Sequence, residues 1–443
     1  MPDHGHSSPD DQRTHAPDGA PFGPERGEAP GGSKGAPHAE RSDAPWYIAN
    51  NVAASDWRRV RFQRRQRSSS WLIGSAREQV GLPRDARDDD SGEWVRPLRP
   101  ARCRWRAAAA VTVHADSSGE SPAHYSGLER CASVWACPVC AGVIRATRAD
   151  EIERAAQHAH ESGLGLAFTT ITLRHKSDDS LAGSIDLLLQ AWRSVVSWRA
   201  WRKVADRLGY LGAIRATEVT YGGNGWHPHS HFLMVFERPL SEVELASFEA
   251  ETFALWAKAV EKRGGRLPSR EHGVKVQRVD GDGAVLANYL SKVQEKAGER
   301  RTSIGAEIAR GDLKRGRGDS LAPFELLDAE GPGTEQARAL WVEFVTSTRG
   351  RRAFSWTKGL RDRLLPGEDE KTDDEVIEDA EAFEPVAVIE ARTYDRAFRD
   401  SPDRLAEALE IAESGDLDRL AWFVKVAPDP SRADTSSRVR FTT

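Results

Sequence analysis

The run Trp226-His227-Pro228-His229-Ser230-His231-Phe232-Leu233-Met234-Val235 constrains this chain more than any other stretch. Side chains at i, i+2 and i+4 of a β-strand share one face. His227, His229 and His231 can therefore aim three imidazoles at one point, while the apolar residues that follow bury the strand. Imidazole binds divalent cations well, and a strand is a rigid mount. Only 13 histidines occur in 443 residues, so three in phase point to metal binding rather than to a polar turn.

The rest of the chain reads as an α+β protein with solvated ends. Residues 1–90 are expected to be largely disordered, apart from a basic element near residues 57–73. Residues 1–43 lack the apolar core of a signal peptide, and no apolar run reaches the length of a membrane span. A cytoplasmic location follows from this reading, with no membrane partner. Within 146–300 the pattern predicts a helix at 146–162, a strand at 164–173 and an amphipathic helix at 185–208. Strands at 210–221 and 229–236 flank the turn signal Gly222-Gly223-Asn224-Gly225. A helix over 241–263 opens on a capping box formed by Ser241 and Glu244. A strand at 274–279 and a helix at 283–296 complete the order β-α-β-β-α-β, the split βαβ or ferredoxin-like pattern with an antiparallel sheet. Residues 301–365 read as an extension of this region. Residues 366–443 read as an acidic linker and tail, with a helix pair at 396–424.

The net charge of −5 hides a segregation. Residues 368–384 hold ten acidic residues and one lysine, whereas basic clusters with interleaved tryptophan lie elsewhere, at 57–67 and 198–203. Basic and aromatic residues together suit a phosphate backbone and stacked bases. Arg58, Arg59, Arg199 and Arg202 are candidate DNA contacts, while Trp198 and Trp201 suit a core equally well.

All four cysteines lie within residues 98–145. Cys131, Cys137 and Cys140 follow a Cys-x5-Cys-x2-Cys spacing, and the Cys137/Cys140 pair has zinc-knuckle spacing. Tetrahedral zinc needs a fourth ligand. Cys103 is the remaining cysteine, with His114 and His124 as alternatives. Such a closed site organises structure and does not catalyse.

If the strands at 210–221 and 229–236 pair across the glycine-rich turn, Glu218 comes beside the histidines. His229, His231 and Glu218 then form a mixed nitrogen and oxygen site that suits Mg²⁺ or Mn²⁺, with His227 competing for the third place. Glu218 is otherwise an ordinary polar strand residue. Downstream, Tyr289 and Lys292 share a helix face at i, i+3. A phenol is a poor nucleophile at neutral pH unless a nearby cation assists it.

Three blocks in this order resemble the rolling-circle replication initiator (Rep) proteins of plasmids, within the HUH endonuclease superfamily. They are Phe168-Thr169-Thr170-Ile171-Thr172-Leu173, the histidine run, and Tyr289-Leu290-Ser291-Lys292. The cysteine knuckle and the stretch Arg351-Arg352-Ala353-Phe354-Ser355-Trp356-Thr357-Lys358-Gly359-Leu360 resemble actinobacterial members. The resemblance spans roughly residues 100–364. It implies an HUH-type nickase of single-stranded origin DNA, with Tyr289 as nucleophile and Lys292 beside it. A 5′-phosphotyrosyl bond and a free 3′-OH result, and a host polymerase and helicase follow. Two positions depart from the pattern. Ser230 stands where the family has a bulky hydrophobe. Val285 stands where some members have a glutamate one helical turn before the tyrosine, which leaves Asp282 and Glu295 as carboxylates for the closing step. A mobilisation relaxase or transposase shares the chemistry, and a zinc-stabilised DNA-binding regulator is the non-catalytic alternative.

Overall fold

The computed structural model describes residues 54–79, 97–115, 123–279, 320–379 and 385–425. Tyr289 and Lys292, with Asp282, Val285 and Glu295, lie outside the described residues. Five strands form the larger sheet: β3 (Gly165–Thr172), β4 (Tyr210–Gly222), β5 (Gly225–Phe236), β6 (Val274–Val279) and β7 (Phe354–Trp356). Their order is β6-β3-β5-β4-β7, and every neighbouring pair is antiparallel. The first four strands follow the connectivity of a split βαβ unit, and β7 extends the sheet beyond β4. Strand β5 begins four residues before the predicted strand, so Trp226 and His227 lie within it.

The two faces of this sheet bury different cores. Ala167, Ile171, Phe232, Met234, Phe236 and Val274 face α3 (Leu181–Ser197), α4 (Arg199–Leu208) and α5 (Glu242–Lys262). Leu166, Phe168, Ile214, Leu233, Val235 and Val279 face the other way. They pack against α2 (Pro138–Glu161) and the short helix Leu360–Leu364, called α7 below. Helix α5 starts on the predicted capping box, with the Ser241 hydroxyl and the Glu244 carboxylate each accepting the other's backbone N–H. The single helix predicted over 185–208 is two helices. Trp198 between them is extended, with φ −77° and ψ 144°, and caps both. Trp201 is core, packed edge-on against Trp192 and Tyr210.

A second sheet, ordered β2-β1-β8, corrects the reading of residues 366–443 as linker and tail. Its strands are β1 (Ala110–His114), β2 (His124–Ser126) and β8 (Pro385–Glu390). The apolar alternation of β8 is short and follows a long acidic run, which masked it. Three helices follow: α9 (Ala391–Ala397), α10 (Pro402–Glu413) and α11 (Leu417–Lys425). The last two are the predicted pair. Tyr394, Phe398, Leu405 and Leu409 pack with Val111, Val113 and Tyr125. Helices α6 (Thr334–Thr348) and α8 (Asp373–Asp379) flank the cysteine-bearing core. The acidic residues there find partners in the protein: Asp373 pairs with Arg148 at 3.1 Å and Asp374 with Arg99 at 2.6 Å.

Residues 54–79, within the stretch expected to be largely disordered, form helix α1 (Ala54–Gln79). Its arginines are internal fasteners. Arg65 donates to the Cys103 and Arg399 carbonyls at 3.1 Å each, and Arg67 donates to Leu327 O at 2.7 Å. Among the described residues, no helix is long and apolar enough to cross a membrane.

Phe398 is fully buried in the second core. Phe398→Ala is expected to cost about 3–5 kcal/mol in urea unfolding. A tail without structure would give an unchanged midpoint.

Candidate functional site

The hairpin of β4 and β5 builds the site. Glu218 pairs directly with His229, Ala216 with His231 and Thr220 with His227. The connection is the two-residue turn Gly223-Asn224. Gly225 is needed at its exit: φ is +82°, and a Cβ there would lie 2.8 Å from Ser177 Cα. That close approach seats the loop carrying His175 beside His227. Pairing with β3 stops at Thr172 opposite His229, so Pro228 interrupts no ladder bond on that side.

Period two then brings three ligand-bearing groups together. The Nε2 atoms of His229 and His231 each lie 3.4 Å from Glu218 Oε2. Glu218 and His231 are buried, at 9% and 8% exposure, and His229 is half-buried. Their donor atoms lie within 4.8 Å of one another, which is a spacing one cation can bridge. The outward nitrogens are also held. His229 Nδ1 sits 3.3 Å from the His227 carbonyl, an acceptor for an Nδ1 proton, which leaves Nε2 facing Glu218. His231 Nδ1 lies 2.9 Å from Thr170 Oγ1, and its ring stacks on Phe168 at 5.2 Å.

His227 is set aside from this group. Its Nδ1 lies 3.2 Å from His175 Nδ1, and the two rings are 4.7 Å apart. Burial, with His229 and His175 adding like charge, holds its pKa down to about 3, so this ring is neutral. Ser230, which departs from the family pattern, points to the opposite face. It is 1% exposed, and its hydroxyl lies 3.1 Å from that of Thr217 directly across the hairpin. Two hydroxyls that satisfy each other replace the hydrophobe without leaving an orphan polar atom.

The four cysteines also converge. The Sγ of Cys103 lies 3.5 Å from that of Cys137 and 3.7 Å from that of Cys140, and Cys131 lies 3.7 Å from Cys140. Tetrahedral zinc with bonds of about 2.3 Å requires sulfur separations of about 3.8 Å. The donor set therefore fits that ion. Cys137 caps α2 and accepts the Cys140 N–H, while Cys103 follows a short 3₁₀ turn. Hydrogen bonds from the other three thiols hold Cys103 well below the ordinary thiol range. His114 and His124 stack on each other at 5.1 Å in the second sheet and are not part of the cluster.

The candidate DNA contacts fare differently. Arg58 pairs with Glu413, and Arg59 with Glu410 at 3.4 Å, so α1 spends both within the protein. Arg199 and Arg202 are exposed on α4, which covers the face of the sheet opposite the histidine ligands. Sequence reasoning missed His175, Phe168 and Thr170 as supports of the site. Phe168 and Thr170 were present in the 168–173 block, but only the strand register connects them to His231.

Thr170→Val keeps the shape and removes the hydroxyl. It is expected to weaken Mn²⁺ binding about 10–100-fold, with Thr170→Ser restoring it, as read by calorimetry. Equal affinity in Thr170→Val would show that Thr170 does not hold His231.

Residues 128–262 match the family model described as "Replication protein". A protein named "Protein rep" from Streptomyces lividans is 34% identical over 328 residues, which covers 60% of this chain and 70% of that protein. A "Neomycin resistance protein" from Streptomyces cyanogenus is 34% identical over 134 residues, 25% of this chain and 31% of that protein. No solved structure matches.

Proposed function

This chain belongs to the Rep family of plasmid replication proteins, of actinobacterial type, and from that premise we propose that it initiates rolling-circle replication by nicking single-stranded origin DNA. The observation that carries this reading is the convergence of His229, His231 and Glu218 on one face of a split βαβ sheet. It is the arrangement expected of the HUH endonuclease fold. A nitrogen and carboxylate set suits Mg²⁺ or Mn²⁺, which would supply Lewis-acid stabilisation to the scissile phosphate when bound.

The protein's own groups account for the rest. His229 and His231 aim Nε2 at Glu218, and the supporting contacts at Nδ1 fix that aim. Tyr289 Oη attacks phosphorus and the P–O3′ bond breaks. The departing O3′ takes up a proton while the phenol loses one. The product is a 5′-phosphotyrosyl bond and a free 3′-OH, which a host polymerase extends on a strand opened by a host helicase. Lys292 offsets negative charge on the phenolate or the phosphate. The phosphodiester energy is kept in the tyrosyl bond, so a later transfer rejoins the strand without a nucleotide cofactor.

The four-cysteine cluster is proposed to hold structural Zn²⁺. It closes the segment from Cys103 to Cys140 and anchors α2 against the sheet.

Incubation with Mn²⁺ and single-stranded oligonucleotides tiled across the replicon tests the nicking reading. Wild type is expected to give a slow-migrating covalent adduct on a denaturing gel, and Tyr289→Phe to bind without forming it. An adduct in Tyr289→Phe would reject this nucleophile. For the cysteines, elemental analysis is expected to give one zinc per chain, lost in Cys137→Ala together with thermal stability. A full melting curve in zinc-free protein would contradict a structural ion.

A further inference from the structure

Strand β6 presents two faces of different chemistry. Val274 and Val276 pack with the α3–α5 core, and Arg278 turns the same way, pairing with Glu242 at 2.8 Å. Val279 packs on the opposite side, in the core under α2. Strand alternation therefore puts Lys275 and Gln277 with Val279, on the face that carries His229, His231 and Glu218. The register makes the placement specific. Lys275 pairs with Thr170, and Thr170 pairs with His231. Lys275, Thr170 and His231 thus stand in one row across three strands.

Neighbouring strands lie about 4.8 Å apart, so the Cα atoms of Lys275 and His231 are roughly 10 Å apart. The flexible four-carbon stem of a lysine spans about 6 Å of that interval. Lys275 is exposed and pairs with no carboxylate among the described residues. By contrast, Arg278 on the other face is spent on Glu242 and on the Leu240 carbonyl. Of the two cations on β6, Lys275 is the one left for an external anion.

We infer that Lys275 binds a backbone phosphate of the DNA strand held at the metal centre. The strand then crosses the sheet along the Lys275–Thr170–His231 row, toward β6 at the end of the strand order. This inference rests on the nicking function proposed above. The ammonium acts as a point charge on a non-bridging oxygen, so it contributes affinity without reading sequence.

Binding of a fluorescein-labelled, mixed-sequence single-stranded oligonucleotide to full-length Tyr289→Phe protein, with and without Lys275→Gln, tests it by anisotropy across a salt series. Lys275→Gln is expected to weaken binding about tenfold. The slope of log affinity against log salt is expected to fall by about 0.7, the loss of one phosphate contact on a single strand. Lys275→Arg is expected to restore both. Unchanged affinity and slope in Lys275→Gln would overturn the inference, as would weaker binding at an unchanged slope. Adduct formation by the wild type is scored separately. Wild type that never forms an adduct, with the Lys275 salt effect intact, would defeat the nicking reading and leave the phosphate contact standing.

Discussion

The antiparallel register of β4 on β5 is the constraint on which the site depends. Glu218 opposite His229 fixes which side chains meet. A slip of one residue would move Glu218 to the other face and leave two imidazoles without their carboxylate. The register is pinned from both ends. At the turn, Gly225 adopts a backbone conformation that other residues rarely take. At the far end, Ile214, Leu233 and Val235 must face α2, while Phe232, Met234 and Phe236 must face α3–α5. A buried strand with apolar demand on both faces has one workable alignment.

Strand β3 turns that alignment into a supported site. Phe168 and Thr170 lie on the same face as His231, one by ring stacking and one by hydrogen bond. The supports come from a different strand than the ligands, so distortion of either strand would disturb the other. The opposing face is closed by the Thr217–Ser230 hydroxyl pair, which keeps the hairpin's polar atoms satisfied where the core begins. Away from the sheet, Arg65 of α1 fastens both the cysteine segment and the loop between α9 and α10, through the Cys103 and Arg399 carbonyls. These are directional bonds to buried or partly buried acceptors.

The hairpin and the shared face of His229 and His231 were legible in the sequence because period-two patterns need only local information. Strand β6 was found to the residue for the same reason, as was the capping box at Ser241. What escaped the sequence is non-local. Thr170 supports His231 only because β3 pairs with β5, and Lys275 joins the row only because β6 pairs with β3. Strand β8 escaped because an acidic run of charges outweighed six weakly patterned residues. The break at Trp198 escaped because hydrophobic spacing continues across it, while one residue with an extended backbone ends the helix. The basic run near Arg58 resembled a nucleic-acid surface, yet the partners of Arg58 and Arg59 lie more than three hundred residues away in the chain.

His229, His231 and Glu218 are proposed to hold one divalent cation. Pulsed electron paramagnetic resonance of Mn²⁺ bound to the full-length protein tests it directly. Couplings from two imidazole nitrogens are expected, reduced to one in His229→Ala or His231→Ala and unchanged in His175→Asn. A spectrum without nitrogen couplings, or one unaffected by both ligand substitutions, would contradict it.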